Sequence, residues 1–120
     1  MKLIITAHHA AWDAPVDARF GRSRTFVLVD TCSRELSEIP NSQALDAAQG
    51  AGVQAAALVC WSGAEAVITG HCGPKAFSAL TAGGVKVYTG AQNSVADAVA
   101  DLEAGRLQCL DQADVAGHWV

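Results

Sequence analysis

No apolar run in the sequence approaches the ~20 residues that a membrane-spanning helix requires. The opening stretch, "MKLIITAHHA", reaches two histidines too early to form the core of a signal peptide, and no cleavage region follows it. The formal net charge of −4 gives the chain no general attraction to nucleic acid. We therefore expect a cytoplasmic protein that binds neither membranes nor nucleic acid.

The sequence also lacks the short motifs of several enzyme classes. It contains no G-x-x-x-x-G-K-[ST] phosphate loop, no G-x-G-x-x-G after the first predicted strand and no G-x-S-x-G elbow. No two cysteines are spaced as C-x-x-C, so zinc-ribbon and thioredoxin-type proteins are unsupported, and we expect free thiols at Cys32, Cys60, Cys72 and Cys109. The predicted central strands, "KLIIT" and "AVIT", carry no acids, which argues against the metal chemistry of a nuclease.

Charged residues are scarce, at 17% of the chain, whereas 51% of the residues are hydrophobic and the mean hydropathy is +0.22. Most of the apolar residues are Ala and Val, which favours small-residue helices packed against a sheet. At 120 residues the chain can bury roughly two-thirds of its unfolded surface as one domain. We expect a single domain over residues 1–120, in which about 108–120 form a C-terminal tail.

The hydrophobic pattern predicts five strands and about three helices. The predicted strands are residues 2–6, 24–30, 34–40, 66–69 and 85–89, which are short, β-branched or alternating runs. The predicted helices are residues 43–61, 73–83 and 94–105. Pro74 at the start of the second helix and glycines past its end are typical helix boundaries, and Ser94 is suited to cap the third. We expect the tryptophans to be packing anchors, at Trp12, Trp61 and Trp119.

The element order β-β-β-α-β-α-β-α predicts an α/β fold with a mixed sheet. Strands 1 to 3 form an antiparallel part, and right-handed crossovers add strands 4 and 5 in parallel to strand 1. The resulting order, 3-2-1-4-5 with only strand 2 antiparallel, describes a three-layer, ribonuclease-H-like fold. Ligands of such sheets bind outside the carboxyl ends of the parallel strands. Here those ends carry "AHHAAW", "GHCGPK" and "TGAQNS", so the two histidine-containing loops should lie side by side.

The segment "GHCGPK" connects a predicted strand to the start of a predicted helix. An anion bound there would meet unpaired amides, the positive end of the helix dipole and the Lys75 ammonium. A helix start also lowers the pKa of a nearby thiol, which makes Cys72 a candidate metal ligand. The adjacent His71 is a second candidate, because imidazole also binds metals. The alternative is structural: Gly70 and Gly73 provide turn geometry, His71 is hydrogen-bonded and Cys72 is buried.

Two further segments could contribute to a site at this edge of the sheet. His8 and His9 follow strand 1, and with His71 on the neighbouring strand they could form a soft-metal site, although each alone could be an ordinary exposed histidine. "DARFGRSRTF" carries cations on both sides of Phe20 and Gly21, a pattern that suits a clamp on an anionic ligand, at Arg19 and Arg22. The alternative is a solvated basic loop that Phe20 anchors in the core.

Four parts of the chain, in matching order from residue 1 to about 107, resemble the dinitrogenase iron–molybdenum cofactor biosynthesis family. They are "DARFGRSRTFVLVD", Asn41, "VITGHCGPKAFSALTAGGVKVYTG" and "SVADAVADLEAGRL". The resemblance implies a fold similar to ribonuclease H and a role as a small carrier of metal–sulfur clusters or their precursors. Among the free-standing members, the chain is most similar to those that hold a molybdenum–copper sulfide cluster without covalent attachment.

Residue by residue, the resemblance places Phe20, Gly21 and Arg22 beside the cluster cleft and His71, Cys72 and Gly73 at its floor. We therefore expect a non-enzymatic carrier or scaffold for an anionic metal–sulfide cluster, held at the ends of strands 1 and 4, with other proteins that deliver or receive it. An iron–molybdenum–sulfur cluster or precursor is the second possible cargo. One alternative is a cofactor-free interaction module that docks a partner with the same cleft or with the Trp119 tail. The other is an enzyme that uses Cys72 and His71, although adjacent residues seldom face one another.

Overall fold

The computed structural model describes residues 1–41 and 51–110, which form a six-stranded sheet with helices on both faces. The strands are β1 (Lys2–Ala7), β2 (Thr25–Asp30), β3 (Glu35–Pro40), β4 (Ala66–Ile68), β5 (Lys86–Thr89) and β6 (Gln108–Cys109). The helices are α1 (Ala51–Trp61), α2 (Pro74–Ala82) and α3 (Val95–Glu103). The five predicted strands are confirmed to within one residue at each end.

The sheet has the order β3-β2-β1-β4-β5-β6. β2 pairs antiparallel with both β1 and β3, whereas β4 pairs in parallel with β1 and with β5. The predicted order 3-2-1-4-5 is thus confirmed for the first five strands. β1 lies in the interior of the sheet, and all of its residues after Lys2 are buried. This is expected for an apolar strand that helices cover on both faces.

The prediction of five strands is wrong, because β6 adds a sixth at the edge of the sheet. Cys109 pairs with Tyr88 and Gln108 with Thr89, and the amide of Leu110 donates to the Val87 carbonyl. This strand is antiparallel to β5, so β2 is not the only strand that runs against the others. A two-residue strand is too short to show an alternating pattern, and the segment 108–110 was expected to belong to the tail. The remainder of that tail, 111–120, lies outside the described residues.

The side chains of the sheet divide between two cores. On one face, Ile4 and Phe26 pack with α1 and α2, which contribute small and medium apolar residues such as Ala55, Ala76 and Leu80. On the other face, strand residues pack against α3, as Leu3, Ile5, Val95 and Val99. The alternation along β1 therefore creates the three layers. None of the helices in the described parts of the chain is long and apolar enough to cross a membrane.

The predicted helices are confirmed where the structure describes them, but residues 43–50 of the first lie outside the described residues. Trp61 is not a packing anchor, because it ends α1 with 89% of its surface exposed. It follows the buried Val59 by two residues, which at 100° per residue places it on the opposite side of the helix. Trp12 is half-buried and packs against the α3 side of the sheet, as predicted.

Candidate functional site

The carboxyl ends of β1, β4 and β5 meet at one edge of the sheet, which we call the carboxyl edge. The chain segments at this edge are residues 8–24, 69–73 and 90–94, together with Asn41 after β3. The amino edge, on the opposite side, carries the β2–β3 turn and the segments that precede β4 and β5. Most of the candidate site residues from the sequence lie at the carboxyl edge, since β1 and β4 are neighbours.

The segment 17–24, which we call the basic loop, lies alongside the end of β4. Arg19 and His71 form a parallel bridge, in which the His71 amide donates to the Ala18 carbonyl at 2.7 Å and the Phe20 amide donates to the His71 carbonyl at 3.3 Å. The fold thus brings together the two segments that the sequence predicts to form one site. Backbone hydrogen bonds therefore join the two segments.

Gly70 permits this close approach. An ideal Cβ atom at residue 70 would lie 2.6 Å from the Ala18 carbonyl oxygen and 2.8 Å from the Ala18 Cα. Both distances are shorter than any ordinary contact of a side chain with a backbone, so a larger residue would displace the basic loop. The glycine is therefore required by the neighbouring loop and not only by the local turn.

Phe20 anchors the basic loop in the core. Its side chain is 1% exposed and stacks on Phe26, with 5.6 Å between the ring centroids. The Asn41 side-chain amide donates to the carbonyls of Gly21 and Ser23, at 3.3 and 2.9 Å, which fixes the loop after Phe20. Phe20 thus fits the anchoring interpretation. Its neighbours are more accessible: Arg22 is half-buried and Arg19 is exposed.

The start of α2 lies next to His71 and differs from the start of α3. The Ser94 hydroxyl caps α3 by accepting from the Asp97 amide, and the carbonyls of Ala14 and Trp12 accept from its next amides, those of Val95 and Ala96. By contrast, no side chain caps α2, whose N-cap residue is Gly73 in an extended conformation, followed by Pro74. Because a helix start carries partial positive charge, the start of α2 is the more suitable of the two for an anion.

The remaining polar candidates also lie at the carboxyl edge. Lys75, in the first turn of α2, is exposed, as are His71 and the adjacent pair His8 and His9 after β1. The His8 amide donates to the Pro15 carbonyl, which holds the first residues of the 8–24 segment. The carboxyl edge therefore presents cations and imidazoles on a protein whose net charge is −4.

Cys72 differs from these residues because its side chain belongs to the core. It is 1% exposed and packs in the cluster that contains Phe20, with its Sγ 3.7 Å from the Gly73 carbonyl oxygen. This placement agrees with the structural alternative for Cys72 and does not present its thiol to a ligand at the surface. The sequence could not distinguish the alternatives, since a thiol is both a metal ligand and a small apolar side chain.

Alkylation of the native protein should distinguish the thiols. Iodoacetamide is expected to modify Cys32 and Cys109, which are exposed, and to leave Cys72 unmodified until the protein is denatured. Peptide mass spectrometry with a second, isotopically labelled reagent added in denaturant measures the protected fraction. Modification of Cys72 at the rate of Cys32 in the native protein would contradict its burial and return it to the candidate ligands.

The chemistry of the donor groups limits what the edge can hold. Across residues 1–41 and 51–110, no three His, Cys, Asp or Glu side chains lie close enough to hold a metal ion. A bare zinc ion, for example, is held by three or four such protein ligands. A sulfide cluster already has its own ligands and requires only cations, hydrogen-bond donors and apolar surroundings. The described residues at this edge include exposed cations, but they do not include such a set of protein ligands for a bare ion.

No motif in the sequence singles out the buried residues that lie beneath the basic loop. Thr6 and Thr69 are completely buried, and their hydroxyl oxygens are 2.8 Å apart. The buried Ser23 hydroxyl donates to the Thr25 carbonyl at 2.7 Å and so shapes the return into β2. A signal for the first two was present, because "KLIIT" and "AVIT" both end in threonine and their strands are parallel neighbours.

The chain and its fold are similar to those of several known proteins. The structure matches the apo form of the orange protein from Desulfovibrio gigas with a TM-score of 0.92, at 34% identity over 95% of this chain and 96% of that chain. An NMR structure of a NifB-like protein of the DUF35 family from Thermotoga matches with a TM-score of 0.82, at 29% identity over 95% of this chain and 97% of that one. An uncharacterized protein of Methanocaldococcus jannaschii is 30% identical over 91 residues, which are 74% of this chain and 77% of that protein.

The family model described as "Dinitrogenase iron-molybdenum cofactor" matches residues 1–105. This match includes β1 to β5, the three helices and every residue of the carboxyl edge described above. The resemblance inferred from the sequence is confirmed at this level. The chain belongs to the dinitrogenase iron–molybdenum cofactor family.

Proposed function

We propose that this protein is a non-enzymatic carrier or scaffold for an anionic metal–sulfide cluster that contains molybdenum, with a molybdenum–copper sulfide cluster as the first candidate. The cluster is cargo, bound without covalent attachment across the carboxyl ends of β1 and β4. One observation carries the proposal: the backbone bridge of Arg19 with His71 brings the basic loop beside the uncapped start of α2. A segment with cationic residues thereby lies close in the fold to a helix start, and both attract anions.

The proposed contacts follow from the accessibility of each group. Arg19 and Lys75 are exposed and supply positive charge, and His71 is exposed and offers an imidazole. Phe20 and Cys72 are buried and form the apolar support below. His8, His9 and Arg22 are assigned to the rim of the same site, and the backbones of Gly21, Gly70 and Gly73 allow close approach.

Membership of the family and the similarity to the orange protein support a metal–sulfur cluster as the ligand. An iron–molybdenum–sulfur cluster or its precursor is the second candidate cargo, because the description of the matching family names the iron–molybdenum cofactor. The proposal also takes the sheet to be a ribonuclease-H-like layer without the acidic residues of a nuclease, in a protein that acts in the cytoplasm. Proteins that deliver or receive the cluster are its expected partners.

Anaerobic reconstitution tests the proposal. In one mixture, apoprotein is combined with tetrathiomolybdate and a copper(I) salt. In a parallel mixture, it is combined with an iron salt and sulfide alone, and both mixtures are then desalted. We expect a visible chromophore that elutes with the protein only when molybdenum is present, with metal and acid-labile sulfide in fixed ratio to protein. Colourless protein without metal after every mixture would contradict the proposal. Chromophore formation with iron alone would reject molybdenum as the defining metal.

Removal of the exposed cations should weaken binding without unfolding the protein. We expect Arg19→Gln and Lys75→Gln each to lower cluster affinity about tenfold or more, because a hydrogen bond to a charged group contributes about 1.5–3 kcal/mol. Titration of apoprotein followed by visible spectroscopy measures the affinity. Lys86→Gln is the matched control, since Lys86 is equally a surface lysine but lies at the amino edge. An equal loss in this control would mean that general charge and not this site attracts the cluster.

A second candidate function is a cofactor-free protein-interaction module. The observation that favours it is the surface of α1, an eleven-residue helix without any charged side chain, on which Trp61 and Val53 are 89% and 42% exposed. The Trp119 part of this hypothesis lies outside the described residues. Analysis of metal and acid-labile sulfide in protein purified anaerobically separates the candidates: a cluster carrier contains both, whereas the module contains neither and co-purifies with another chain.

A further inference from the structure

Two buried threonines stand at the ends of the two strands below the site. Thr6 is the penultimate residue of β1 and Thr69 directly follows β4, and neither side chain is exposed. Thr6 Oγ1 lies 2.8 Å from Thr69 Oγ1 and 2.7 Å from the carbonyl oxygen of Asp17, where the basic loop begins. A hydroxyl has one hydrogen and the carbonyl can only accept. Both contacts are therefore hydrogen bonds only if Thr69 donates to Thr6 and Thr6 donates to Asp17.

Thr6 forms hydrogen bonds with both backbone polar groups of Asp17, the amide and the carbonyl. The Thr6 carbonyl accepts from the Asp17 amide at 2.8 Å, while the Thr6 hydroxyl donates to the Asp17 carbonyl. The Asp17 carboxylate in turn accepts from the Arg19 amide at 3.2 Å. The next contact along the chain is that of the Ala18 carbonyl with His71. Thr6 thus fixes the loop one residue before it reaches the end of β4.

We propose that Thr6 and Thr69 form a hydroxyl latch that positions the basic loop over the carboxyl edge and thereby sets the affinity for the anionic ligand. The ligand in this inference rests on the proposed function. The threonines are positioning residues, because their buried hydroxyls act through Asp17 and the loop, whereas Arg19 is the exposed group that meets the ligand. Without the Thr6 hydroxyl, a carbonyl in a partly buried position loses its donor, and the loop is released toward water.

The roles of the two threonines differ in a way that can be measured. Thr6→Val has the same shape but loses the donor to Asp17, whereas Thr69→Val removes only the bond that Thr6 accepts. In apoprotein, we expect the amides of Asp17, Phe20 and His71 to exchange hydrogen about tenfold faster in Thr6→Val. The effect should be smaller in Thr69→Val, and Thr6→Ser should restore the exchange rates of the original protein because it keeps the hydroxyl.

Hydrogen exchange measured by NMR on apoprotein, without any cluster, carries this test. Faster exchange confined to the three amides supports the latch, and so does an affinity for the molybdenum–copper cluster about tenfold lower in Thr6→Val than in Thr6→Ser. Unchanged exchange at those amides, or equal acceleration through β4 and β5, would overturn it even if the original protein binds the cluster. If Thr6→Val does not fold, the same outcomes are judged on Thr69→Val. Failure of the original protein to bind any cluster, with a local exchange effect, would instead refute the proposed function alone.

Discussion

Gly70→Ala is expected to abolish most of the cluster binding and to lower the free energy of unfolding by about 1–3 kcal/mol. The added Cβ would lie 2.6 Å from the Ala18 carbonyl oxygen. Because the obstacle is backbone, no change of side-chain rotamer relieves the contact, and the basic loop has to move away from β4. Denaturant unfolding measures the loss of stability, and reconstitution measures the loss of bound chromophore per folded molecule.

Gly83→Ala is the matched control for this variant. Its new Cβ would collide with the Cys60 Sγ at the amino edge, so it should also destabilise the protein. It leaves the basic loop untouched, and cluster binding per folded molecule should stay at the level of the original protein. If Gly83→Ala lost as much binding as Gly70→Ala, the effect of residue 70 would be one of general stability and not of loop placement.

Phe20→Ala is expected to have the largest effect on stability, a loss of about 3–5 kcal/mol in the free energy of unfolding. Phe20 is 1% exposed and stacks on Phe26, so its truncation leaves a cavity and removes an aromatic contact. Since domains are stable by only about 5–15 kcal/mol, this change removes a large share of the total. Thermal and denaturant unfolding measure it, and the remaining folded protein should bind the cluster poorly because its loop has lost its anchor.

Phe20→Leu separates volume from aromatic character. Leucine fills much of the same space, so we expect a much smaller loss of stability and retention of cluster binding. A Phe20→Ala protein that unfolds and binds like the original would show that the loop is held by its backbone contacts alone. Loss of binding in the leucine variant, with stability intact, would indicate that the ring itself meets the ligand.

Periodicity was sufficient to predict the frame of the fold. The runs around Ile4 and Val67 contain only apolar residues before a threonine, so their burial on both faces and their central position follow from the sequence. The order of the first five strands then follows from the handedness of crossovers. β6 could not be predicted in this way, because its two residues are exposed and its position depends on backbone bonds to β5.

The position of the candidate site residues at one edge of the sheet was predictable from the sequence, but their contacts were not. Strand ends identify the edge at which His71 and the basic loop meet, yet their pairing uses backbone atoms that no side-chain pattern encodes. Only Gly70 and the threonines at the ends of the two strand sequences indicate this pairing. A glycine can occur in a loop for many other reasons. Cys72 shows the converse difficulty, since residue type alone does not tell whether a thiol points to the surface or to the core.

The 8–24 segment is attached on three sides before any ligand arrives. The Val16 amide donates to the Asn93 carbonyl, and the Ala14 carbonyl accepts from the Val95 amide at the start of α3. Asp17 is bound by Thr6, and the segment then pairs with the residues that follow β4. The loss of conformational entropy of this long loop is therefore part of the folding equilibrium and not of ligand binding. Such preorganisation suits a rigid ligand that is assembled before it binds. The loop has little conformational freedom left to adapt to components that bind one at a time.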